Sequence, residues 1–502
     1  MAIGGAEVTP LGYALVPIGV VALLVRPAAL LWLGVVAAIF QGGAVLNYVT
    51  GGGTVIPVMP FFFVSVLMAV ALLVHARRAG WAWERLAAEP RRVVLFLVAF
   101  AAWGVASAFL LPRYFAGMLV NPPRASMDLT YGHLLPLHFG HSNLAQAGYL
   151  PLAVVFLVFA ICATEPLGAA RTMYRGLVAA TVLALGVGFY QKAASARGWY
   201  YPARLIVSNE VTFRSGAYRE VTAGLGLRLS STFSEASYAG AFFAAAFVFF
   251  ALLAVHSPRR RLLRALIGLM CLGAAALTGS STAYGCLAVG VVLFLVIEVF
   301  APMVCGRVSP VATALAGLGF VAVGVGALFL PLGPVARVLT DELFQKIHSG
   351  SALHRFAADR AAWLVFWHTW GLGVGLGSER PSSLVLYLLS NVGVIGSLVF
   401  LGALFALLIG CRRRLRFVYE PERRARLIAL QYAFVINLAA LVVSIPDVSW
   451  PMLWVWWAML LLELAGPASP AGRVQVGGAL GSSVAPGVAA AWRSDSAERS
   501  LG

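Results

Sequence analysis

The stretch WLVFWHTWGLGVGLGSERPSSLVLYLLSNVGVIG, from Trp363 to Gly396, joins a polar segment to the start of a long apolar run. Apolar runs of roughly 20 residues are long enough to cross a bilayer as a helix. Four glycines at every second position precede the charged residues Glu379 and Arg380, in what we call the glycine-rich segment, residues 371–383. A helix that only crosses a membrane does not need this combination beside it. The stretch therefore predicts a place where a polar substrate is handled.

The composition indicates a membrane protein. Hydrophobic residues make up 61% of the chain, charged residues only 11%, and the mean hydropathy is +0.89. A soluble domain carries about 25% charged residues. Because the apolar runs are continuous and do not alternate with a period of two, they predict helices and disfavour a β-barrel. The expected fold is an all-α, polytopic integral membrane protein.

The apolar runs predict twelve or thirteen membrane-spanning helices within one membrane domain, residues 1–466. The predicted spans are residues 11–25, 28–41, 55–75, 93–111, 143–164, 176–191, 236–255, 262–278, 282–300, 310–331, 382–410, 427–446 and 450–466. The remaining residues 467–502 are rich in Gly, Ala, Ser and Pro, which predicts a disordered cytoplasmic tail.

Arginine placement predicts the orientation of the chain. Short basic connections lie at residues 76–92, 256–264 and 411–426, so the positive-inside rule places them in the cytoplasm, together with residues 163–175. Long segments at residues 112–142, 192–235 and 332–381 are then periplasmic loops, with amphipathic helices among them. The net charge of +17 is nearly all arginine. Its dispersal between spans argues against nucleic acid as a partner, and the arginines outside the cytoplasmic connections predict an anionic substrate.

A serine-rich segment, residues 228–235, opens the sequence GLRLSSTFSEASYAGAFFAAAF. Arg228 is suited to bind phosphate oxygens through its planar guanidinium. Glu235 has two interpretations, a functional carboxylate or a residue of the first helical turn behind an N-cap at Ser234. A solvated or headgroup-contacting arginine is the structural alternative for Arg228.

Two further segments carry polar side chains between apolar runs. LTGSSTAYG, from Leu277 to Gly285, is interpreted as either a hairpin between helices or the lining of a cavity. SGSALHRFAADRAAW, from Ser349, places His354, Arg355 and Arg360 at helical spacing. This segment is either an amphipathic helix at the membrane surface or a short helix that points Arg360 and His354 toward the substrate.

Histidines and cysteines do not predict a metal site. His133, His138 and His141 fit no standard zinc spacing. The five cysteines are scattered, with no CxxC pair, so neither a metal site nor a disulfide framework is expected. His141 is interpreted as an interfacial residue that contacts sugar or lipid phosphate.

The order of these segments resembles the Wzy-type polysaccharide polymerases, within the superfamily of O-antigen polymerases and ligases. RLSSTFSEAS precedes a span, TGSSTAYG follows the next one, and GVGLGSERPSS with LLSNVGVIG closes an arginine-rich outer loop. The resemblance implies a bacterial inner-membrane glycosyltransferase that acts at the periplasmic face on glycans linked to undecaprenyl pyrophosphate. No metal or other cofactor is expected, and membrane lipid and a chain-length regulator protein are the expected partners.

The motifs and their chemistry assign roles to individual residues. Predicted catalytic residues are Arg360, Arg380, Glu235 and His354. Predicted substrate-binding residues are Arg228, Arg355, Glu379, Ser382, Ser383 and His141. The arginines are expected to offset charge on the pyrophosphate, and Glu235 or His354 to take the proton of the acceptor hydroxyl.

Two departures from the family pattern affect the prediction. Ala236 replaces the Pro of the family's F-x-E-P-S pattern. Ser382 and Ser383 stand about eleven residues before Gly393, where many relatives, ligases above all, carry His-Asn. The serines favour a polymerase over a ligase that transfers glycan to lipid A core. A flippase or exporter of lipid-linked glycans is a third hypothesis, but it would need charges along a path to both faces, and the predicted spans are nearly free of charge.

Overall fold

The computed structural model describes residues 5–50, 55–79, 86–122, 134–162, 165–222, 226–296 and 350–466. Seven of the helices in these ranges are long and apolar enough to cross a membrane. The predicted class, an all-α polytopic membrane protein, is therefore confirmed. The predicted span at 310–331, much of the predicted loop at 332–381 and the predicted tail at 467–502 lie outside the described residues.

Helices account for most of the described chain. The long ones are α3 Pro60–Ala79, α4 Ala88–Tyr114, α5 His141–Cys162, α6 Pro166–Arg197, α9 Ala236–His256, α13 Leu384–Arg414 and α14 Pro421–Val443. The others are α1 Pro10–Val25, α2 Ala29–Ala37, α7 Ala203–Ile206, α8 Glu210–Ser215, α10 Arg261–Leu277, α11 Ser281–Phe294, α12 Gly350–His368 and α15 Pro451–Ala465.

Short antiparallel strands lie between the helices. β1 Gly5–Val8, β2 Leu46–Val49 and β3 Val55–Val58 form one sheet in that order. Two small pairs join β4 Leu119–Val120 to β5 Leu135–Pro136 and β6 Val221–Thr222 to β7 Gly226–Leu227.

The centre of the bundle contains α9 and α15. Every residue of α15 from Pro451 to Leu464 is buried, as is most of α9. The Trp457 ring meets the rings of Phe400 and Phe434 edge to face, with centroids 5.6 and 5.4 Å apart. A helix that is apolar on all sides is suited to such a central position, because other helices cover every face of it.

Several predicted spans change in the structure. α2 has nine residues, which reach about 13.5 Å at 1.5 Å per residue and do not cross a bilayer alone. Residues 55–58, predicted as the start of a span, form β3, whose β-branched residues suit a strand. The helix α6 begins ten residues before its predicted span, so residues 166–175 are helical. A count of apolar residues detects only the part of a helix that lipid or protein surrounds. It does not detect a polar extension of the same helix.

The basic connections meet at one end of the bundle, which we call the arginine-rich end. Arg264, at the start of α10, pairs with Glu422, at the start of α14. Glu463, at the end of α15, accepts from Arg423 Nε at 3.0 Å and also pairs with Arg426. The prediction that these connections share one side agrees with these contacts.

Candidate functional site

The serine-rich segment is fixed by hydrogen bonds to neighbouring helices. Gln191 Oε1, on α6, accepts from the backbone N–H groups of Ser230 and Ser231 at 3.0 and 2.9 Å. Ser231, buried with a φ of 54°, donates its hydroxyl to the carbonyl of Ala184 at 2.6 Å. A non-glycine residue in the left-handed region is uncommon, so these bonds hold the turn in a specific conformation.

The end of the serine-rich segment packs against the turn after α2. Thr232 donates its hydroxyl to the carbonyl of Ile39 at 2.7 Å, and its own carbonyl accepts from Gly42 N–H at 3.0 Å. A Cβ on Gly42 would lie 3.1 Å from the carbonyl oxygen of Phe233, so glycine allows the close contact. The contact brings Gln41 to the start of α9.

Glu235 is the N-cap residue of α9, which begins at Ala236. The prediction of Ser234 as the N-cap is therefore wrong by one residue. The Glu235 carboxylate makes no capping hydrogen bond to the backbone and instead accepts from the hydroxyl of Ser237. Its side chain is half-buried. The carboxylate is thus not used to satisfy the helix end, which leaves the functional interpretation in place.

The glycine-rich segment lies against a break in α13. Gly393 has φ 65° and ψ −167°, which interrupts the helix. The carbonyls of Ser390 and Asn391 then accept hydrogen bonds from the N–H groups of Val374 and Gly375 at 2.7 and 2.9 Å. Broken helices in membrane proteins leave backbone groups that other protein groups must satisfy. Here the glycine-rich segment supplies those partners.

The alternating glycines have a structural cause. Gly375 and Gly377 have φ values of +99° and +83°. A Cβ on Gly375 would lie 2.6 Å from the carbonyl oxygen of Ser107, and a Cβ on Gly377 would lie 2.8 Å from that of Ser142. Glycine permits such close approach, and here the approach is to the protein's own backbone.

Asn391 and Asn143 fix the end of the glycine-rich segment. Asn391 is fully buried, and its Oδ1 accepts from the N–H groups of Ser378 and Glu379 at 3.0 and 3.1 Å. Asn143 Nδ2, on α5, donates to Ser378 Oγ at 2.8 Å. These side-chain amides determine where the chain emerges at Arg380.

Glu379 points into the protein. It is fully buried, and its Oε2 accepts from the backbone N–H of Asn121 at 2.8 Å. Burial raises the pKa of Glu379 to about 8, and the hydrogen bond from Asn121 offsets this only in part. At neutral pH most of Glu379 is therefore protonated. Glu379 and Arg380, predicted as a charged pair, differ in that only Arg380 is exposed and charged.

Hydrogen bonds join the helix α12 to the glycine-rich segment. Asp359 accepts from the backbone N–H of Ser382 at 2.7 Å and from its hydroxyl at 2.6 Å. The Ser382 hydroxyl is thus used within the protein. Arg360 follows Asp359 on α12 and is exposed. The Asp359 bonds therefore tie the helix that carries Arg360 to the segment that carries Arg380.

Charged and phenolic side chains from four parts of the chain lie near the start of α9, close enough for the charges to act on the phenols. We call this group the Tyr238 cluster, and its members are Glu235, Tyr238, Arg380, Tyr387 and Asp447. Tyr238 lies within reach of the charges of Glu235, Asp447 and Arg380. Tyr387, on α13, lies within reach of Asp447 and Arg380. The predicted residues Glu235 and Arg380, far apart in sequence, are thereby brought into one site.

Neighbouring residues hold the cluster in position. Asp447 Oδ1 accepts from Ser449 N–H at 2.8 Å and from its hydroxyl at 2.6 Å. The Gln41 side chain lies close to Tyr238, and the Trp450 ring meets Tyr238 edge to face with centroids 5.9 Å apart. Three buried polar atoms here have no hydrogen-bond partner within the described ranges: Gln41 Oε1, Tyr387 OH and Trp450 Nε1. Buried polar atoms are normally paired, so these three atoms are unusual.

Asp447, Tyr387 and Gln41 were not predicted as site residues. The signal for Asp447 is a single carboxylate between two prolines in SIPDVSWP, where α14 ends and α15 begins. An acidic residue between two apolar runs, on the side opposite the basic connections, needs an explanation. Nothing in the sequence marks Tyr387 or Gln41.

Arg228 has partners of its own. Its Nε donates to the carbonyl of Thr278 at 2.9 Å, and its guanidinium pairs with Glu220. Thr278 belongs to the turn between α10 and α11, so LTGSSTAYG is a hairpin, as one of its two interpretations predicted. Arg228 thereby joins this hairpin to the serine-rich segment, and its binding of phosphate stays a prediction.

The other predicted residues lie on the surface or beside the glycine-rich segment. His354 is exposed and Arg355 is half-buried on α12. His141 is the exposed first residue of α5, next to the Ser142 carbonyl that Gly377 approaches. Ser383 is the N-cap residue of α13 and makes no side-chain capping bond.

Within the described ranges, no group of three or more His, Cys, Asp or Glu side chains is placed to hold a metal ion. His133 lies outside those ranges. Comparison with protein-family models and with curated proteins finds no match for the chain.

Proposed function

We propose that the protein is a membrane glycosyltransferase that polymerises a polysaccharide. It would move a growing glycan from undecaprenyl pyrophosphate onto a lipid-linked repeat unit, at the periplasmic face of the bacterial inner membrane. The observation that carries the proposal is the Tyr238 cluster, in which an arginine, two carboxylates and two tyrosines meet at one end of an apolar bundle. The substrate class comes from the resemblance of the motifs.

The cluster has the groups that glycosyl transfer requires. A carboxylate, Glu235 or Asp447, takes the proton of the acceptor hydroxyl as its oxygen attacks the anomeric carbon. The bond from that carbon to the pyrophosphate oxygen breaks, and the lipid pyrophosphate leaves with the electron pair. Arg380, with Arg360 on the joined helix, offsets the charge that grows on the leaving group. Direct displacement inverts the anomeric centre.

The orientation follows from the positive-inside rule. The arginine-rich end would face the cytoplasm. The Tyr238 cluster lies where α9 and α15 begin and α14 ends, opposite the contacts between Arg264, Glu422 and Glu463. It would then face the periplasm, where lipid-linked repeat units are presented after translocation.

The test is elongation of lipid-linked repeat units by purified protein. We expect Arg380→Ala, Arg360→Ala and Glu235→Gln each to slow elongation by at least about 100-fold, the usual cost of losing charge stabilisation or the base. Asp447→Asn identifies the base. If this substitution slows elongation more than Glu235→Gln does, Asp447 is the base. Matched controls are Arg197→Gln and Glu7→Gln, exposed residues outside the cluster. Unchanged elongation in Arg380→Ala and Glu235→Gln would exclude the proposed site.

Supplying the acceptors separately tests the reaction class. A polymerase extends a lipid-linked repeat unit and leaves lipid A core unmodified. Transfer to lipid A core alone would make the protein a ligase. Movement of intact lipid-linked glycan across a vesicle membrane, with no new glycosidic bond, would instead support the flippase hypothesis.

A further inference from the structure

A second basic site lies at the arginine-rich end, away from the Tyr238 cluster. A pocket of about 390 Å³ is lined there by Glu89, Arg413, Arg414, Arg416 and Phe417. It lies where α4 begins and α13 ends.

Arg414 is the unusual member of this pocket. Its Nε and Nη2 are buried and make no hydrogen bond within the described ranges. Arg414 as a whole is half-buried, but a buried N–H group without an acceptor is costly, because it has lost water and gained no partner. These two N–H groups can therefore donate to an acceptor that enters the pocket.

The nearby carboxylates do not supply that acceptor. Glu463 accepts from both Arg423 and Arg426. Glu89 faces Arg413, with 3.8 Å between Oε1 and Nη1. Arg423 acts on Arg414 as a like charge, and Glu89 and Glu463 attract Arg414 less strongly. Arginines thus outnumber carboxylates in and around the pocket, which favours the binding of an anion.

The surroundings distinguish a lipid from a soluble anion. The adjoining surfaces of α4 and α13 expose large apolar side chains, among them Leu95, Phe96, Phe405 and Ile409. Apolar side chains exposed beside a basic pocket at helix ends provide room for acyl chains next to the headgroup. A free phosphate would use only the arginines.

We propose that this pocket binds the phosphate group of an anionic phospholipid, with the half-buried Arg414 as the inner contact and the exposed Arg413 and Arg416 at the rim. The lipid stabilises the junction of α4 and α13 from the side opposite the Tyr238 cluster. Arginine binds phosphate oxygens through paired N–H groups, which matches the two unpartnered nitrogens of Arg414. This inference does not depend on the proposed glycosyl transfer.

The test is native mass spectrometry of the delipidated full-length protein in detergent. Phosphatidylglycerol and phosphatidylethanolamine with the same acyl chains are titrated against wild type, Arg414→Gln and the control Arg412→Gln. Arg412 is exposed, lies two residues away and does not line the pocket. We expect phosphatidylglycerol to bind wild type and Arg412→Gln about equally, and Arg414→Gln at least about ten-fold more weakly.

Three outcomes would overturn the proposal: equal binding in Arg414→Gln and Arg412→Gln, equal binding of the two lipids by wild type, or displacement of phosphatidylglycerol by millimolar inorganic phosphate. The last would assign the pocket to a soluble anion. If Arg414→Gln does not fold, two other results test the proposal. Wild type should bind phosphatidylglycerol more tightly than phosphatidylethanolamine, and Arg416→Gln should bind phosphatidylglycerol more weakly than wild type.

Discussion

The serine-rich and glycine-rich segments both lead into a helix of the bundle, yet they are held by different means. In the serine-rich segment, hydroxyls and the Gln191 amide satisfy the backbone. In the glycine-rich segment, backbone N–H groups donate to backbone carbonyls at the break at Gly393. Glycine makes this contact possible because it has no Cβ atom. Each segment delivers one charged side chain, Glu235 or Arg380, to the Tyr238 cluster.

The comparison shows that polar or glycine-rich composition near a predicted site is not itself evidence of ligand contact. Most of the hydroxyls and glycines that pointed to a substrate are used to position the chain. Substitutions in the two segments should therefore differ in how strongly they destabilise the protein. A steric overlap cannot relax in the way that a lost hydrogen bond can.

The largest effect is expected for Gly393→Ala. A Cβ there would overlap the carbonyl oxygens of Gly371 and Leu372, and the φ of 65° disfavours any other residue. We expect loss of the folded protein, measured as absence of a monodisperse peak after extraction in detergent. Gly186→Ala is the control, since none of the described residues lies within 4 Å of a Cβ placed there and alanine suits a helix. Normal yield of Gly393→Ala would mean that the break is not required.

Gln191→Ala should destabilise the serine-rich segment. It leaves the buried N–H groups of Ser230 and Ser231 without an acceptor, at roughly 1–3 kcal/mol for each unsatisfied group. We expect a clear fall in the thermal unfolding temperature. Gln431→Ala serves as the control, because among the described residues the Gln431 amide donates to the Leu427 carbonyl of its own helix and to no other group. Equal effects of the two substitutions would contradict the special role of Gln191.

Glu379 should make stability depend on pH. Its pKa is raised from 4.5 to about 8, so the folded state binds the proton more tightly than the unfolded state. The contribution of Glu379 to the free energy of unfolding is complete below pH 4.5. It is lost as the pH rises toward 8, at up to roughly 1.4 kcal/mol per pH unit. Thermal unfolding from pH 5 to 9 should show the decline in wild type and a flatter profile in Glu379→Gln. An identical slope in both would show that another group titrates, and the exposed Glu7→Gln should keep the wild-type slope.

The smallest effect is expected for Ser382→Ala. The substitution removes one hydrogen bond to Asp359 and keeps the other, at the cost of about 1 kcal/mol. Ser383→Ala is the neighbouring control, since Ser383 makes no capping bond through its side chain. We expect slightly lower stability for Ser382→Ala alone. A larger loss in Ser383→Ala would reverse the assignment.

The sequence predicted which kinds of residue form the site, but it did not predict all of the residues that belong to it. Arg380 and Glu235 stand beside apolar runs, so the sequence indicated both. Asp447 was missed because a single carboxylate between two spans resembles an ordinary loop residue. Ser382 was indicated by its position in the motif, but its bond to Asp359 depends on how α12 packs against the glycine-rich segment.

The sequence by itself determined the membrane class, the position of most helices and the grouping of the arginine-rich connections, because hydrophobicity and charge act residue by residue along the chain. Only the tertiary structure decided the break at Gly393, the burial of Glu379 and the meeting of Glu235, Arg380 and Asp447 around Tyr238. These features depend on which backbone groups lie opposite one another after packing, and no local pattern of residues specifies that.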